Sequence, residues 1–300
     1  MSTPAQASWT TRRLLAWMSE AFEKASLESP RLQAEMLIAH VLGTRRLKLY
    51  MDPDRPASDL ERGQLRDLVK RALEHEPVQY LVGEVSFYGL VFEVDRRVLV
   101  PRPATQTLVD AAIDHLKPTA HAGALLADVC TGSGCVAVTL ASKLPEARVV
   151  ATDISADAIE VARANAERHK VVDRVDFQRG DMLGALDAHA VTAADASLDA
   201  LVSNPPYIPD DEWHAVPRNV REHEPELALR GGADGLDLVR PLIESAPSRL
   251  RPGGLLAIEV AASRAQQARV LAEAHPMLER VEIRRDSEGL DRVVTALRRG

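Results

Sequence analysis

Three short runs of this 300-residue chain combine residue types and spacing that suit chemistry. The most specific is Asn204-Pro205-Pro206-Tyr207, which follows the apolar run Leu198–Ser203. Two prolines stiffen the turn, and a residue that precedes proline is driven to extended geometry, so Asn204 projects from the end of its strand. Asn supplies a carbonyl acceptor and an NH₂ donor, while Tyr207 supplies a flat face. With the Pro205 carbonyl added, the set suits a planar amide or amine held by two acceptors above an aromatic floor. The plainer alternative for these four residues alone is a rigid turn with a buried tyrosine.

The second run is Asp128-Val129-Cys130-Thr131-Gly132-Ser133-Gly134. Glycines let backbone approach a ligand closely, and the N-terminus of a following helix offers free N–H groups. The spacing is neither that of a dinucleotide fingerprint nor that of a P-loop, because no Gly-Lys-Ser/Thr follows. The third is Asp153, which ends the run Val149–Asp153 about 20 residues later. A carboxylate there suits a ribose diol, as in nucleotide folds generally. Its competing role is a helix cap, a task Ser155 can itself fill. A softer signal is Gly180-Asp181-Met182, where an acid and an apolar side chain could flank an adenine.

These loops need strands behind them, and the hydrophobic periods supply them. After residue 100, strands at Leu125–Val129, Arg148–Asp153, Val175–Gln178, Leu198–Ser203 and Leu255–Val260 alternate with helices at 136–144, 156–169, 235–250 and 264–274. Two last strands are expected near 280–285 and 292–297. Such alternation with apolar strands predicts a mostly parallel, doubly wound α/β sheet whose ligands sit at the carboxyl ends. Residues 1–76 read as helices only. Leu14, Leu15, Met18, Phe22 and Ala25 follow the candidate caps Thr10 and Thr11; Ser29-Pro30 opens a second helix that Gly43 stops. Ser58-Asp59-Leu60-Glu61 is a capping box opening a third. From Pro77 the texture turns to β, with Val85–Tyr88 and Val91–Val94 flanking Gly89-Leu90 as a hairpin.

Composition bounds the partners. Hydrophobic residues make up 46% and charged residues 27%, ordinary for a folded globular chain and against disorder or coiled coil throughout. The net charge of −7 divides into +1 for residues 1–76 and −8 for the remainder, which argues against nucleic-acid phosphates as the partner of the later part. No run of about 18 apolar residues offers a membrane span, and the first thirty residues lack an export signal, so the expected compartment is the cytoplasm. Cys130 and Cys135 are the two cysteines; neither a disulfide nor a metal site is expected.

Asp128–Gly134, Asp153 and Asn204–Tyr207 together resemble the class I S-adenosylmethionine-dependent methyltransferases that act on amide or amino nitrogen. The resemblance extends to the HemK-type methyltransferases of peptide chain release factors. It does so through Glu76–Gly83, Val98-Leu99-Val100-Pro101-Arg102-Pro103, Glu224–Leu229, Gly289–Val294 and the N-terminal run Ser29–Gly43. It implies a Rossmann-like sheet of seven strands with an antiparallel last strand, behind a small helical bundle. The division expected is 1–76 for substrate recognition, 77–100 as a β-hairpin linker and 101–300 for catalysis.

It further implies methyl transfer from S-adenosylmethionine to the side-chain nitrogen of the glutamine in a Gly-Gly-Gln loop, leaving S-adenosylhomocysteine. Cys130, Thr131, Gly132, Ser133, Gly134, Asp153, Asp181, Met182 and Asn204 are then the candidate cofactor residues. Asn204, Pro205 and Tyr207 are the candidates for catalysis, and the same three with Pro206 and Arg102 for substrate. Two positions depart from the family: Ala104 and Gln106 stand where two acids are usual, and Cys130 where the first glycine is usual. The cysteine variant is shared with amide methyltransferases of a ribosomal protein, which remain an alternative. A DNA adenine methyltransferase and a non-catalytic adaptor are the more distant ones.

Overall fold

The computed structural model describes residues 9–117, 123–187 and 196–300. They fall into two compact units, Met1–Gly83 with Pro217–His223, and Glu84–Val216 with Glu224–Gly300.

The first unit is helical. Its helices α1 (Thr11–Lys24), α2 (Pro30–Val41), α3 (Arg46–Met51), α4 (Asp59–Leu73) and α5 (Val78–Val82) pack around Met18, Phe22, Leu37 and Ile38, all completely buried. Burying each such side chain favours folding by roughly 1.5–3 kcal/mol. Thr10 caps α1 by accepting from the Arg13 N–H. The box at α4 forms in both directions: Ser58 Oγ accepts from Glu61 N at 3.2 Å, and Glu61 Oε2 accepts from Ser58 N at 2.8 Å. Ser29 departs from expectation. Its backbone is left-handed, its side chain caps nothing, and Pro30 alone begins α2. The turn to β texture also comes later than Pro77, because α5 puts Val78 and Leu81 one helical turn apart, both buried in this unit's core.

The second unit opens with a two-stranded hairpin, β1 (Glu84–Phe87) and β2 (Leu90–Glu93). Phe87 pairs with Leu90, so the two turn residues are Tyr88 and Gly89 rather than Gly89 and Leu90. Both have positive φ, +51° and +79°, as a hairpin turn that follows the strand twist requires. Tyr88 tolerates this because its hydroxyl is held by Asp110 Oδ1 at 2.7 Å.

The main sheet contains β3 (Leu125–Val129), β4 (Arg148–Asp153), β5 (Val175–Arg179), β6 (Leu198–Ser203), β7 (Leu250–Glu259), β8 (Leu278–Arg285) and β9 (Asp291–Arg298), in the order β5-β4-β3-β6-β7-β9-β8. β3 to β7 run parallel, and β9 pairs antiparallel with both β7 and β8. The last strand is thus the antiparallel one, as expected. One face is covered by α6 (Gln106–Leu116), α7 (Cys135–Lys143) and α8 (Ala156–Arg168). The other is covered by α9 (Gly184–Asp187), α11 (Val239–Arg249) and α12 (Ala265–Ala274); the intervening α10 (Arg218–His223) groups with the first unit. Helix α6 carries no strong punctuation in the sequence, yet it buries Leu108, Val109, Ala112 and Leu116. Strand order reverses between β3 and β6, which opens a crevice at their carboxyl ends.

Candidate active site

A cleft of about 260 Å³ lies at that crevice, lined by the loops that follow β3, β4, β5 and β6. The loop after β3 is fastened from beneath. The Asp128 side chain, 1% exposed, accepts from Thr131 Oγ1 at 2.7 Å and from Ala137 N at 3.0 Å. Burial nevertheless pushes its carboxyl up to about 7, with those two bonds opposing. Cys130 sits at φ +63°, a conformation natural to glycine, which accounts for the glycine usual at this place. Its thiol lies 3.9 Å from Met182 Sδ and is pushed up to about 12 by burial, so it is a neutral apolar wall.

Asp153 ends β4 with both carboxylate oxygens engaged. Oδ2 accepts from Gly132 N and Oδ1 from Ser155 N, each at 2.9 Å. It therefore ties the first loop to the second. A carboxylate has about four acceptor positions, and Asp153 itself lines the cleft. Ser155 is the cap of α8, accepting from Ala158 N at 3.2 Å, so Asp153 is not needed for that role. Asn165, fully buried in α8, donates to Ser133 O at 2.9 Å and to Glu93 O at 3.0 Å, and so joins the hairpin to the same loop.

Asn204 reaches the cleft from the end of β6, and its Nδ2 donates to Thr105 Oγ1 at 3.3 Å. The turn behind it is gripped by backbone: Ile208 N donates to Leu229 O and Gly231 N to Ile208 O, both at 2.9 Å. Only glycine fits at 231, because a Cβ there would meet Tyr207 Cα at 2.7 Å and Pro206 O at 2.9 Å. Opposite, Val98, Leu99 and Arg102 line the cleft. Arg102 is paired with the buried Glu224, which also accepts from Val100 N at 3.1 Å. Burial raises the Glu224 carboxyl while Arg102 opposes.

Of the residues singled out in sequence, Cys130, Thr131, Gly132, Ser133, Asp153, Asp181, Met182, Asn204, Pro206 and Arg102 line this cleft. Gly134, Pro205 and Tyr207 do not. Gly134 instead lets α7 approach α8, since a Cβ there would lie 3.0 Å from Ala162 Cβ. Pro205 is buried. The Tyr207 hydroxyl turns away and donates to Glu259 Oε1 at 3.1 Å; burial and the Glu259 charge push its own titration up, so it keeps its proton. Tyr207 therefore does not serve as a base, while the residue stays half-buried.

Sequence reading missed Thr105, Glu259 and Gly231, and it gave Glu224, which opens the Glu224–Leu229 run, no role of its own. A signal existed for Glu259, an acid in the otherwise apolar run Leu255–Val260. The described residues include no group that could hold a metal ion, and Cys130 and Cys135 are free. No helix of the described residues is long and apolar enough to cross a membrane.

A family model described as "PrmC N-terminal domain" matches residues 13–83, and one described as "Methyltransferase domain" matches 126–224. The hMettl16 catalytic domain, solved in complex with an RNA hairpin, aligns over 71% of this chain and 76% of that one. Its TM-score is 0.50 at 16% identity, a likeness of fold alone. Release factor glutamine methyltransferase of Chlorobaculum tepidum is 41% identical over 98% of this chain and 99% of its own length. That of Rhodopirellula baltica is 38% identical over 96% of both. With such identity carried from end to end, through helical unit and sheet alike, the chain belongs to the release factor glutamine methyltransferase family.

Proposed function

We propose that this protein transfers a methyl group from S-adenosylmethionine to the side-chain amide nitrogen (N5) of the glutamine in the Gly-Gly-Gln motif of peptide chain release factors. The carbon–sulfur bond breaks as the nitrogen–carbon bond forms, and the products are N5-methylglutamine, S-adenosylhomocysteine and one proton, which the methylated amide, strongly acidic until it loses it, gives up to solvent. The observation that carries the chemistry is the commitment of Asn204 Nδ2 to Thr105, which leaves Oδ1 as the end offered to the cleft.

When bound, S-adenosylmethionine supplies a methyl group on a positively charged sulfur. The cleft suits it: Asp153 and Asp181 line it, while Arg102 is paired with Glu224 and Arg97 with Asp95 and Glu160. Asp153 would hold the ribose hydroxyls, and Cys130 with Met182 would form an apolar wall for the base. Asn204 Oδ1 would accept one hydrogen of the substrate amide, and the Pro205 carbonyl, set back from the cleft lining, is the acceptor proposed for the other, so that the nitrogen lone pair turns into the cleft. An amide nitrogen is a weak nucleophile because its lone pair is delocalised, so orientation is the main aid available. Fixing reacting groups in this way supplies roughly 7–11 kcal/mol in well-ordered systems. No side chain placed here needs to act as a strong base. We place the reaction in the cytoplasm and assign substrate recognition to the N-terminal helical unit.

The test is methyl incorporation into purified release factor, ribosomal protein and DNA side by side, with wild type and Asn204→Ala. Release factor should be methylated, and turnover should drop at least about 100-fold in the variant, the size of losing one well-placed polar contact in a transition state. Preferential labelling of the ribosomal protein or DNA would overturn the substrate. Unchanged turnover in the variant would overturn the amide clamp.

A further inference from the structure

The glycine-rich loop and a separate stretch of the cleft wall hang on one side chain. Asn165 is completely buried in α8, with both ends of its amide engaged. Oδ1 accepts from Glu93 N at 2.7 Å, while Nδ2 donates to Glu93 O at 3.0 Å and to Ser133 O at 2.9 Å. The pairing with Glu93, N–H and C=O together, is the one a facing strand residue would make, so the amide serves as a further partner for β2. Its orientation is forced, because a backbone N–H only donates and a carbonyl only accepts. His169, the C-terminal cap of α8, donates from Nε2 to Val91 O at 2.8 Å and so secures the same strand. That bond is to the hairpin, whereas Asn165 bonds hairpin and loop together.

Both partners of Asn165 lead into the cleft. Ser133 is buried in its lining, and Gly134 beside it lies against Ala162 of the same helix. Glu93 ends β2, and Arg97, Val98 and Leu99, a few residues on, line the cleft as well. Arg97 is tied back to α8 by its pair with Glu160. Removing the amide would strip Ser133 O, Glu93 N and Glu93 O of these bonds and let the two stretches shift independently. Resting on the reading that S-adenosylmethionine occupies this cleft, we propose that Asn165 is a positioning residue for its binding. It sets the spacing between the glycine-rich loop and the 97–99 stretch, so that the cleft is shaped before the cofactor enters and less ordering is needed on binding.

Calorimetric titration of the full-length protein with S-adenosylmethionine, beside thermal melting and steady-state kinetics on release factor, tests this on wild type, Asn165→Ala, Asn165→Ser and His169→Ala. In Asn165→Ala the Kd should rise about 10–100-fold, the cost of ordering one or two freed loop residues on binding. Asn165→Ser, whose hydroxyl is too short to meet both partners, should lose affinity to a similar extent. His169→Ala should lower the melting temperature, because it loosens the hairpin, yet leave Kd within about 3-fold of wild type. At saturating cofactor, kcat in the Asn165 variants should stay within about 3-fold of wild type, with the loss confined to the cofactor KM. Wild-type Kd in the Asn165 variants would overturn the proposal. So would an equal loss of affinity in His169→Ala, which would reduce the role to hairpin stability. Should Asn165→Ala not fold, Asn165→Ser against His169→Ala decides alone. If wild type itself takes up no S-adenosylmethionine, the cofactor reading fails and this proposal with it; if wild type binds and the Asn165 variants bind as well, only the positioning role fails.

Discussion

Gly231→Ala is predicted to impair catalysis more than stability. A Cβ at this position would sit 2.7 Å from Tyr207 Cα, 2.9 Å from Pro206 O and 2.9 Å from Gly235 Cα, where ordinary contact begins at 3.4 Å. The obstacles are backbone atoms on both sides, so no side chain can rotate away. Relief requires the Asn204–Tyr207 turn or the 231–235 loop to shift by several tenths of an ångström. Overpacking of this kind costs about 1–3 kcal/mol. The narrower unfolded ensemble of alanine returns about 0.4–1 kcal/mol. The net loss is then at most about 2.5 kcal/mol, or a melting shift of up to about 10 °C for a unit of this size. Turnover is more sensitive, because a displacement approaching 1 Å at a reacting group costs about 100-fold. Methyl incorporation into release factor should fall about 10–100-fold. The cofactor Kd should hold, since Gly231 is remote in sequence and bonding from Asp153 and the Asp128–Gly134 loop. Wild-type turnover together with an unchanged melting temperature would refute the reasoning, because it would mean the turn tolerates the shift.

Three further predictions follow from the same geometry. Asp153→Ala should weaken S-adenosylmethionine binding about 10–150-fold, equivalent to about 1.5–3 kcal/mol for hydrogen bonds to a charged group; calorimetry giving the wild-type Kd would reduce Asp153 to a tie between loops. Asp128 is held at about 7, above the 3.8 of a free aspartate, so the folded state binds the extra proton and stability should fall as pH rises from about 4 to 7. In Asp128→Asn that part of the slope should vanish in urea titrations at pH 5 and pH 7.5, and equal slopes in both proteins would count against it. Deleting residues 1–83 should spare cofactor binding but abolish most methylation of intact release factor, while a short Gly-Gly-Gln peptide is affected less. Equal losses on both substrates, in a deletion protein shown to be folded, would indicate a structural role for the helices.

The deletion is set at residue 83 for a reason the sequence did not contain. Val78 and Val82 are β-branched and stand next to a real hairpin, so the local pattern favours strand. Burial of Val78 and Leu81 in the helical core outweighs that preference. The hairpin turn slipped by one residue for a related reason. Tyr88 has little local claim to positive φ, and the hydroxyl bond to Asp110 comes from 22 residues away.

What the sequence by itself determined was the order of strands and helices and the three loops that meet at the crevice. Period-2 and period-3.6 patterns and the Gly, Pro and Asn punctuation are local properties, and an alternating parallel sheet leaves those loops one edge on which to gather. What the tertiary structure alone decided was the direction of each side chain within them. The hydroxyl of Tyr207 had no partner legible in the sequence, because Glu259 arrives from a strand 52 residues away to take it. Gly134 looked like a cradle and became a spacer, because Ala162 of α8 lies against it. Asn204 carries two ends that the sequence cannot distinguish, and the acceptor at Thr105, 99 residues earlier, takes the NH₂ end. Hydrogen-bond direction depends on the partner across space, and that partner is fixed only once the sheet has closed.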